Sequence, residues 1–248
     1  MRTMPLYKEQ GVVLRSHKLG EADKIITIMT QGSGKVRAVA KGIRRTKSRF
    51  GARLEPFTHV SLLVYRGTGA LDTITQAEII AQHRAICDDL TYFAAGETML
   101  EAVDKVAEEH ERNVKLFLLL LQGLRALDAK PAGGEAVGEA FLMKLLSVSG
   151  FHPNLTACAV CGGKDPSFFS TPQGGAVCSR CADPGAEPVS GAALAGLVAL
   201  ASTDLDHAGE LGFDERPHRE ARNLLYAFAE YHIERRMKSL SLARSLAL

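Results

Sequence analysis

The chain has 248 residues, 46% of them apolar, with 30 Lys+Arg against 28 Asp+Glu and five cysteines. That is enough apolar material for one or two buried cores and excludes a disordered or fibrous class. The small net charge of +2 conceals a split: residues 1–80 hold 14 Lys+Arg against 6 Asp+Glu, and the remainder 16 against 22. The opening MRTMPLYKEQ has no apolar signal core, and the longest apolar runs fall short of a membrane span. A cytoplasmic, reduced protein is expected, in which paired cysteines hold metal more often than disulfides.

From Leu6 to about Ala81 the punctuation is that of short strands. Val12–Leu14, Ile25–Met29 and Lys35–Ile43 form the first three, separated by the Gly20-Glu21-Ala22-Asp23 and Gly32-Ser33-Gly34 turns. His59–Tyr65 and Leu71–Ile80 form the fourth and fifth, around a Gly67-Thr68-Gly69 turn. Five short strands in this length predict a small closed barrel, an OB-fold first and an SH3-like barrel second. Neither glycine turn completes a phosphate-binding or dinucleotide fingerprint, so both read as hairpins.

Lys35, Arg37, Lys41, Arg44, Arg45, Lys47, Arg49 and Arg53 fall in nineteen residues that contain no acid. A solvated face normally mixes both signs, so an unopposed run suits a polyanion. Lys35, Arg37 and Lys41 interleave with Val36, Val39 and Ala40, which predicts a strand with one charged face. The denser cluster follows Gly42, on the loop leaving that strand. The alternative is an idle basic loop. The barrel holds only Tyr7, Phe50, Phe57 and Tyr65 as aromatics, and the chain has no Trp. Binding through phosphates rather than base stacking is therefore expected; seven engaged cations would give a log–log salt slope of roughly −5 on a single strand.

Beyond Gln82 the pattern turns helical. Helices are expected over Ala94–His110, Val114–Leu127 (apolar almost all round), Ala136–Val148, Ala192–Ala201 and Arg219–Lys238. Arg235, Arg236, Lys238 and Arg244 at the far end suit a helix C-terminus or a DNA contact. Cys87 reads as a small buried hydrophobe on the first helix.

Cys158-Ala-Val-Cys161 and Cys178-Ser-Arg-Cys181 are sixteen residues apart. This spacing is that of a four-thiolate zinc site, and a filled sulfur shell leaves no position for substrate, so the metal would be structural. Reactive dithiols are the alternative. A zinc deaminase would need His-x-Glu before Pro-Cys-x-x-Cys, and here Ala157 precedes Cys158 and the His-x-Glu triplets follow the cysteines. His152 is expected to cap or pack. A zinc nuclease would need an open metal site or carboxylates near the basic surface, and the basic half is poor in acids. An adaptor that docks partners on the acidic half is a further reading.

The segments GVVLRSHKLGEADKIITIMT from Gly11, GKVRAVAKGIRRTKSRFGARLEPF from Gly34, LLVYRGTGALDTITQAEI from Leu62, GFHPNLTACAVCGG from Gly150 and YHIERRMKSL from Tyr231 together resemble the RecO family of bacterial DNA-repair and recombination mediators. The resemblance runs nearly end to end. It implies an α+β multidomain protein: an OB-fold barrel (1–81), a mainly helical domain (82–157 and 182–248) and an inserted four-cysteine zinc module (158–181). It implies no catalytic residues. It further implies binding of single- and double-stranded DNA, strand annealing, contacts with RecR and the C-terminal tail of single-strand-binding protein, and indirect help in loading RecA. The family's basic OB surface falls on Lys35, Arg37, Lys41, Arg44, Arg45, Lys47 and Arg49, and localisation would be cytoplasmic, at the nucleoid.

Overall fold

Gly11 to Leu14 is a continuous apolar run, and a strand buried on both sides is what such a run forms. In the computed structural model, which describes residues 6–67 and 69–246, this run lies in β1 (Leu6–Leu19). β2 (Asp23–Thr30), β3 (Gly34–Ala40), β4 (Thr58–Tyr65) and β5 (Asp72–Gln82) follow. They close a barrel in the order β1-β2-β3-β5-β4, with β1 antiparallel to both β2 and β4 and a short parallel pairing of β3 with β5. This is the OB-fold expected from the strand count. Met1–Pro5, half of the stretch read for a signal, and Thr68 of the Gly67–Gly69 turn lie outside the described residues.

Val13, Ile26, Ile28, Val36, Val60, Leu62 and Ile74 fill the barrel. Val12, Leu14 and Met29 point the other way, into a second core shared with the helices. That core is built by α1 (Leu90–Val106), α2 (Val114–Asp128) and α3 (Gly134–Val148), joined by α4 (Gly191–Ser202), α5 (Leu205–Ala208), α6 (Glu215–His232) and α7 (Lys238–Leu246). α2 buries Leu116, Phe117, Leu120, Leu121 and Leu124 but leaves Leu118 half exposed. Buried Glu139 on α3 receives Arg222 Nε at 2.7 Å and pairs with His218 at 2.7 Å, pinning α6 to α3. No helix among the described residues is long and apolar enough to cross a membrane.

Three expectations need correction. α1 stops at Val106 rather than His110, because Ala107 is extended (φ −74, ψ 131) and the chain turns back to the barrel. The last expected helix is two: α6 ends at His232, and α7 begins at Lys238 with its first amides, those of Lys238 and Ser239, donating to the Glu101 carboxylate at 3.1 and 2.8 Å. Burial alone would raise Glu101, but these amides hold it below the ordinary carboxylate value. Arg235 and Arg236 thus lie in the turn between helices. Cys87 is exposed in a short 3-10 helix, Arg84–Asp88, whose buried member is the neighbouring Ile86.

His59 on β4 and His83 after β5 face α2 at the barrel–helix contact, His83 lying 3.5 Å from Asp128 and His59 edge-on to Phe117. Burial, helped by Arg125 and His83, pushes the His59 imidazole down to about 4, and burial also lowers His83 despite Asp128. A depressed imidazole contributes stability that is complete above the unfolded value and is lost as the unfolded chain takes up a proton below it. The loss therefore runs from about pH 6.5 toward 4. Between pH 7.5 and 5, urea unfolding should show the wild type losing on the order of 2 kcal/mol more than His59→Gln; equal losses would contradict this assignment.

Candidate nucleic-acid interface and metal centre

The loop from Lys41 to Phe57 carries the dense cations, and its sequence explains why it is ordered. Ile43, Phe50 and Leu54 are buried in the barrel core and anchor it at three points. Backbone bonds fix the rest: the Arg44 amide donates to the Ala22 carbonyl (2.9 Å) and the Gly42 amide to the Asp23 carboxylate (2.7 Å). Gly42 has φ +71, a conformation that favours glycine. Arg44 Nη1 also donates to the carbonyls of Gly20 (3.2 Å) and Glu21 (2.8 Å), tying this loop to the β1–β2 turn. Arg53 donates to the carbonyls of Arg49 and Phe50 (both 3.1 Å), and the Arg49 guanidinium lies over the Phe50 ring at 5.0 Å.

Lys41, Arg44, Arg45, Lys47 and Arg49 are all exposed, and none of them forms an ion pair among the described residues. The fold does not bring Lys35 and Arg37 into the same unopposed set. Lys35 is largely covered; its Nζ donates to the Asp104 carbonyl at 2.5 Å and lies 3.6 Å from the Asp104 carboxylate. Arg37 lies 3.5 Å from Glu109. Both acids come from the helical half, at the end of α1 and just beyond it. No local sequence signal links them to β3, since the pairing is made across about seventy residues of chain.

The four barrel aromatics are mostly withdrawn. Phe50 and Phe57 are buried, at 1% and 3% exposure. Tyr7 donates its hydroxyl to Asp72 at 2.6 Å with Arg66 across its ring, and burial raises its phenol well above the ordinary value. Tyr65 is the one of the four that is exposed. The barrel surface therefore presents charge far more than stacking planes.

The two cysteine pairs sit on a small sheet of β6 (Phe168–Ser170), β7 (Gly175–Val177) and β8 (Glu187–Pro188), in the order β7-β6-β8. Each C-x-x-C turn is closed by backbone bonds. The Gly162 amide donates to the Cys158 carbonyl (2.8 Å), with Gly162 at φ +68, and the amides of Cys181 and Ala182 donate to the Cys178 carbonyl (both 3.0 Å). The sulfurs of Cys158, Cys161, Cys178 and Cys181 all lie within 4.8 Å of one another. Cys161 and Cys178 Sγ are 3.9 Å apart, against about 3.8 Å for the edge of a tetrahedron with metal–sulfur bonds of about 2.3 Å. The residues thus fit a four-thiolate metal centre.

Backbone amides supply the surrounding support. Those of Cys178 and Cys161 hold the Cys158 thiol down to about 6, and those of Arg180 and Cys181 lower Cys178. The neighbouring Cys178 and Cys161 sulfurs push the Cys181 thiol up to about 12. His152 is outside the cluster; its ring is 2.8 Å from the Ser147 hydroxyl at the end of α3, a packing role. Phe169 of β6 meets Phe228 of α6 edge-on at 5.9 Å, which seats the cysteine sheet on the helical core.

Residues 2–83 match the family model described as Recombination protein O N terminal, and residues 87–241 match Recombination protein O C terminal. Among curated relatives, a DNA repair protein RecO from Frankia casuarinae is 45% identical over 240 residues, covering 96% of this chain and 98% of that protein. Those from Streptomyces avermitilis and Bifidobacterium adolescentis are 43% and 41% identical over 245 residues, each covering 96% of this chain and 98% and 99% of theirs. Two models that together span nearly the whole chain, and relatives matched along nearly their full length, establish that the chain belongs to the RecO family, the family of recombination protein O.

Proposed function

We propose that this protein is a non-enzymatic recombination mediator that holds single- and double-stranded DNA by its phosphates and anneals complementary strands. The observation that carries the reading is the loop of Lys41, Arg44, Arg45, Lys47 and Arg49: exposed, unpaired among the described residues, and fixed to the barrel by Ile43, Phe50 and Leu54. Phosphate contacts position a strand without reading it, so base edges stay free to pair. Cations between two strands also reduce the repulsion that slows their approach. Lys35 and Arg37 lie at the margin of this surface, engaged by acids.

The remaining assignments follow from family membership together with the site. The protein works with RecR and the C-terminal tail of single-strand-binding protein to help load RecA, in the cytoplasm at the nucleoid. We take the barrel (1–81), the helices (82–157 and 182–248) and the cysteine insertion (158–181) as its working units. The ion at Cys158, Cys161, Cys178 and Cys181 is taken to be a single structural zinc, since four thiolates suit zinc and fill its coordination shell.

Annealing of two complementary oligonucleotides tests the first proposal. Wild type should accelerate it with no nucleotide cofactor. A variant with Arg44, Arg45, Lys47 and Arg49 all changed to Glu, and with an unchanged thermal melt, should bind single strands more than about tenfold more weakly and lose the acceleration. Equal annealing by both proteins would contradict the assignment.

Metal analysis tests the second. The purified protein should carry one zinc per chain, and Cys158→Ser should lose it, with the cysteine insertion becoming sensitive to protease while single-strand binding by the barrel persists. Metal affinity of a four-thiolate site supplies roughly 10 kcal/mol at neutral pH, so its loss should unfold the insertion locally. Full zinc content in Cys158→Ser would refute the four-cysteine centre.

A further inference from the structure

After Val106 the chain reads Ala-Glu-Glu-His-Glu-Arg-Asn, a run that could have continued α1 but instead leaves it for the barrel. Two backbone bonds fasten it to the start of β3: the Lys35 amide donates to the Glu108 carbonyl (3.4 Å) and the His110 amide to the Lys35 carbonyl (3.0 Å). At Gly34, φ is +67 and the Glu111 backbone lies so close that a Cβ would overlap it. The loop is therefore held by main-chain geometry, independently of the charges on its side chains.

Those side chains place three exposed carboxylates, Glu108, Glu109 and Glu111, beside β3, with only His110 and Arg112 among them as groups of the other sign. Glu109 is 3.5 Å from Arg37. Asp104, one turn earlier on α1, takes Lys35 at 3.6 Å and Arg15 of β1 at 2.6 Å. Every one of these strand-borne cations is thus matched by an acid from the helical half. The cations of the 41–49 loop, a short distance along the same chain, are not. OB-folds commonly take oligonucleotides across the face of their second and third strands, and here acids stand at the β3 end of that face.

We propose that the 107–113 loop is an electrostatic wall that retains Arg37, beside the Lys35 already held by Asp104, and repels phosphates from the outer face of β3, confining a bound single strand to the Lys41–Arg49 loop. The proposal rests on the phosphate-binding reading above and specifies which of its cations a strand reaches. Five engaged cations correspond to a log–log salt slope of roughly −3.5, and Arg37 freed from Glu109 would steepen it to roughly −4, Lys35 staying on Asp104.

The test is single-strand affinity against salt for four proteins: wild type, Glu108→Gln/Glu109→Gln/Glu111→Gln, and each of these with Arg37→Gln added. The triple variant keeps the backbone fastening and Asp104, and its side chains are exposed. Expected are a slope near −3.5 in the wild type, a slope of roughly −4 with tighter binding in the triple variant, and a double-mutant cycle in which Arg37→Gln weakens the triple variant and returns its slope to near −3.5 but changes the wild type less than about twofold. A control with Asp206, Glu210 and Glu215 changed to Gln removes equal charge elsewhere and should leave the slope unchanged. An unchanged slope in the loop variant, an equal steepening in the control, or an Arg37 effect as large in the wild type as in the variant would overturn the wall. Absence of salt-dependent binding in every protein would instead remove the phosphate-binding reading beneath it.

Discussion

The architecture depends on one packing constraint: the barrel and the helices share a core. Val12, Leu14, Met29 and Phe57 leave the barrel and join Met99, Leu100, Val103 and Phe117 in a single apolar cluster. Phe57 is central to it. It adopts φ +64, a conformation costing a bulky side chain on the order of 1–3 kcal/mol, and it keeps it because its ring is enclosed by Phe93 and by α1 at Gly96, where a Cβ would meet the ring at 2.8 Å. Complete burial of such a ring contributes about 1.5–3 kcal/mol, enough to offset that strain. From this joint the α1–α2 loop runs onto the start of β3 at Lys35, and Asp104 at the end of α1 meets Lys35 and Arg15.

The strands, the cysteine centre and the basic loop were legible in the sequence because each is a local pattern. Alternating Val36, Ala38 and Ala40 mark the buried face of β3, and two C-x-x-C turns bring their own geometry wherever the chain places them. What was not legible is what arises between distant segments. The pairing of Lys35 with Asp104 and of Arg37 with Glu109 depends on how the barrel seats on α1, so an apparently unopposed run is partly opposed in space. The same holds for α1 and α6, whose helical periods run on past their true ends. Ala107 becomes extended because the loop satisfies its backbone on β3, and α6 gives way to α7 because Glu101, remote in sequence, caps a fresh N-terminus. Cys87 misled for a simpler reason: the helix expected around it is a single 3-10 segment that buries Ile86 instead.

The division of charge follows the same logic. The basic half does not present its cations uniformly; Arg15 of β1 and Lys35 and Arg37 of β3 pair with acids of the helical half, and those on the 41–49 loop form no ion pair among the described residues. An arrangement of this kind lets one surface serve assembly and binding without a second fold. The cysteine sheet stands apart from that surface in chemistry, seated on α6 through Phe169 and Phe228, and its filled sulfur shell suits a scaffold rather than a catalytic centre.

The central claim is that the barrel grips the phosphate backbone and leaves bases free. The most direct measurement compares binding of a normal single strand with an abasic strand of equal length and equal charge. The account predicts affinities within about threefold of each other, since phosphate contacts carry no information about bases. A loss of more than about thirtyfold on the abasic strand, the scale of one or more stacked bases, would show that stacking carries the binding and would contradict the account.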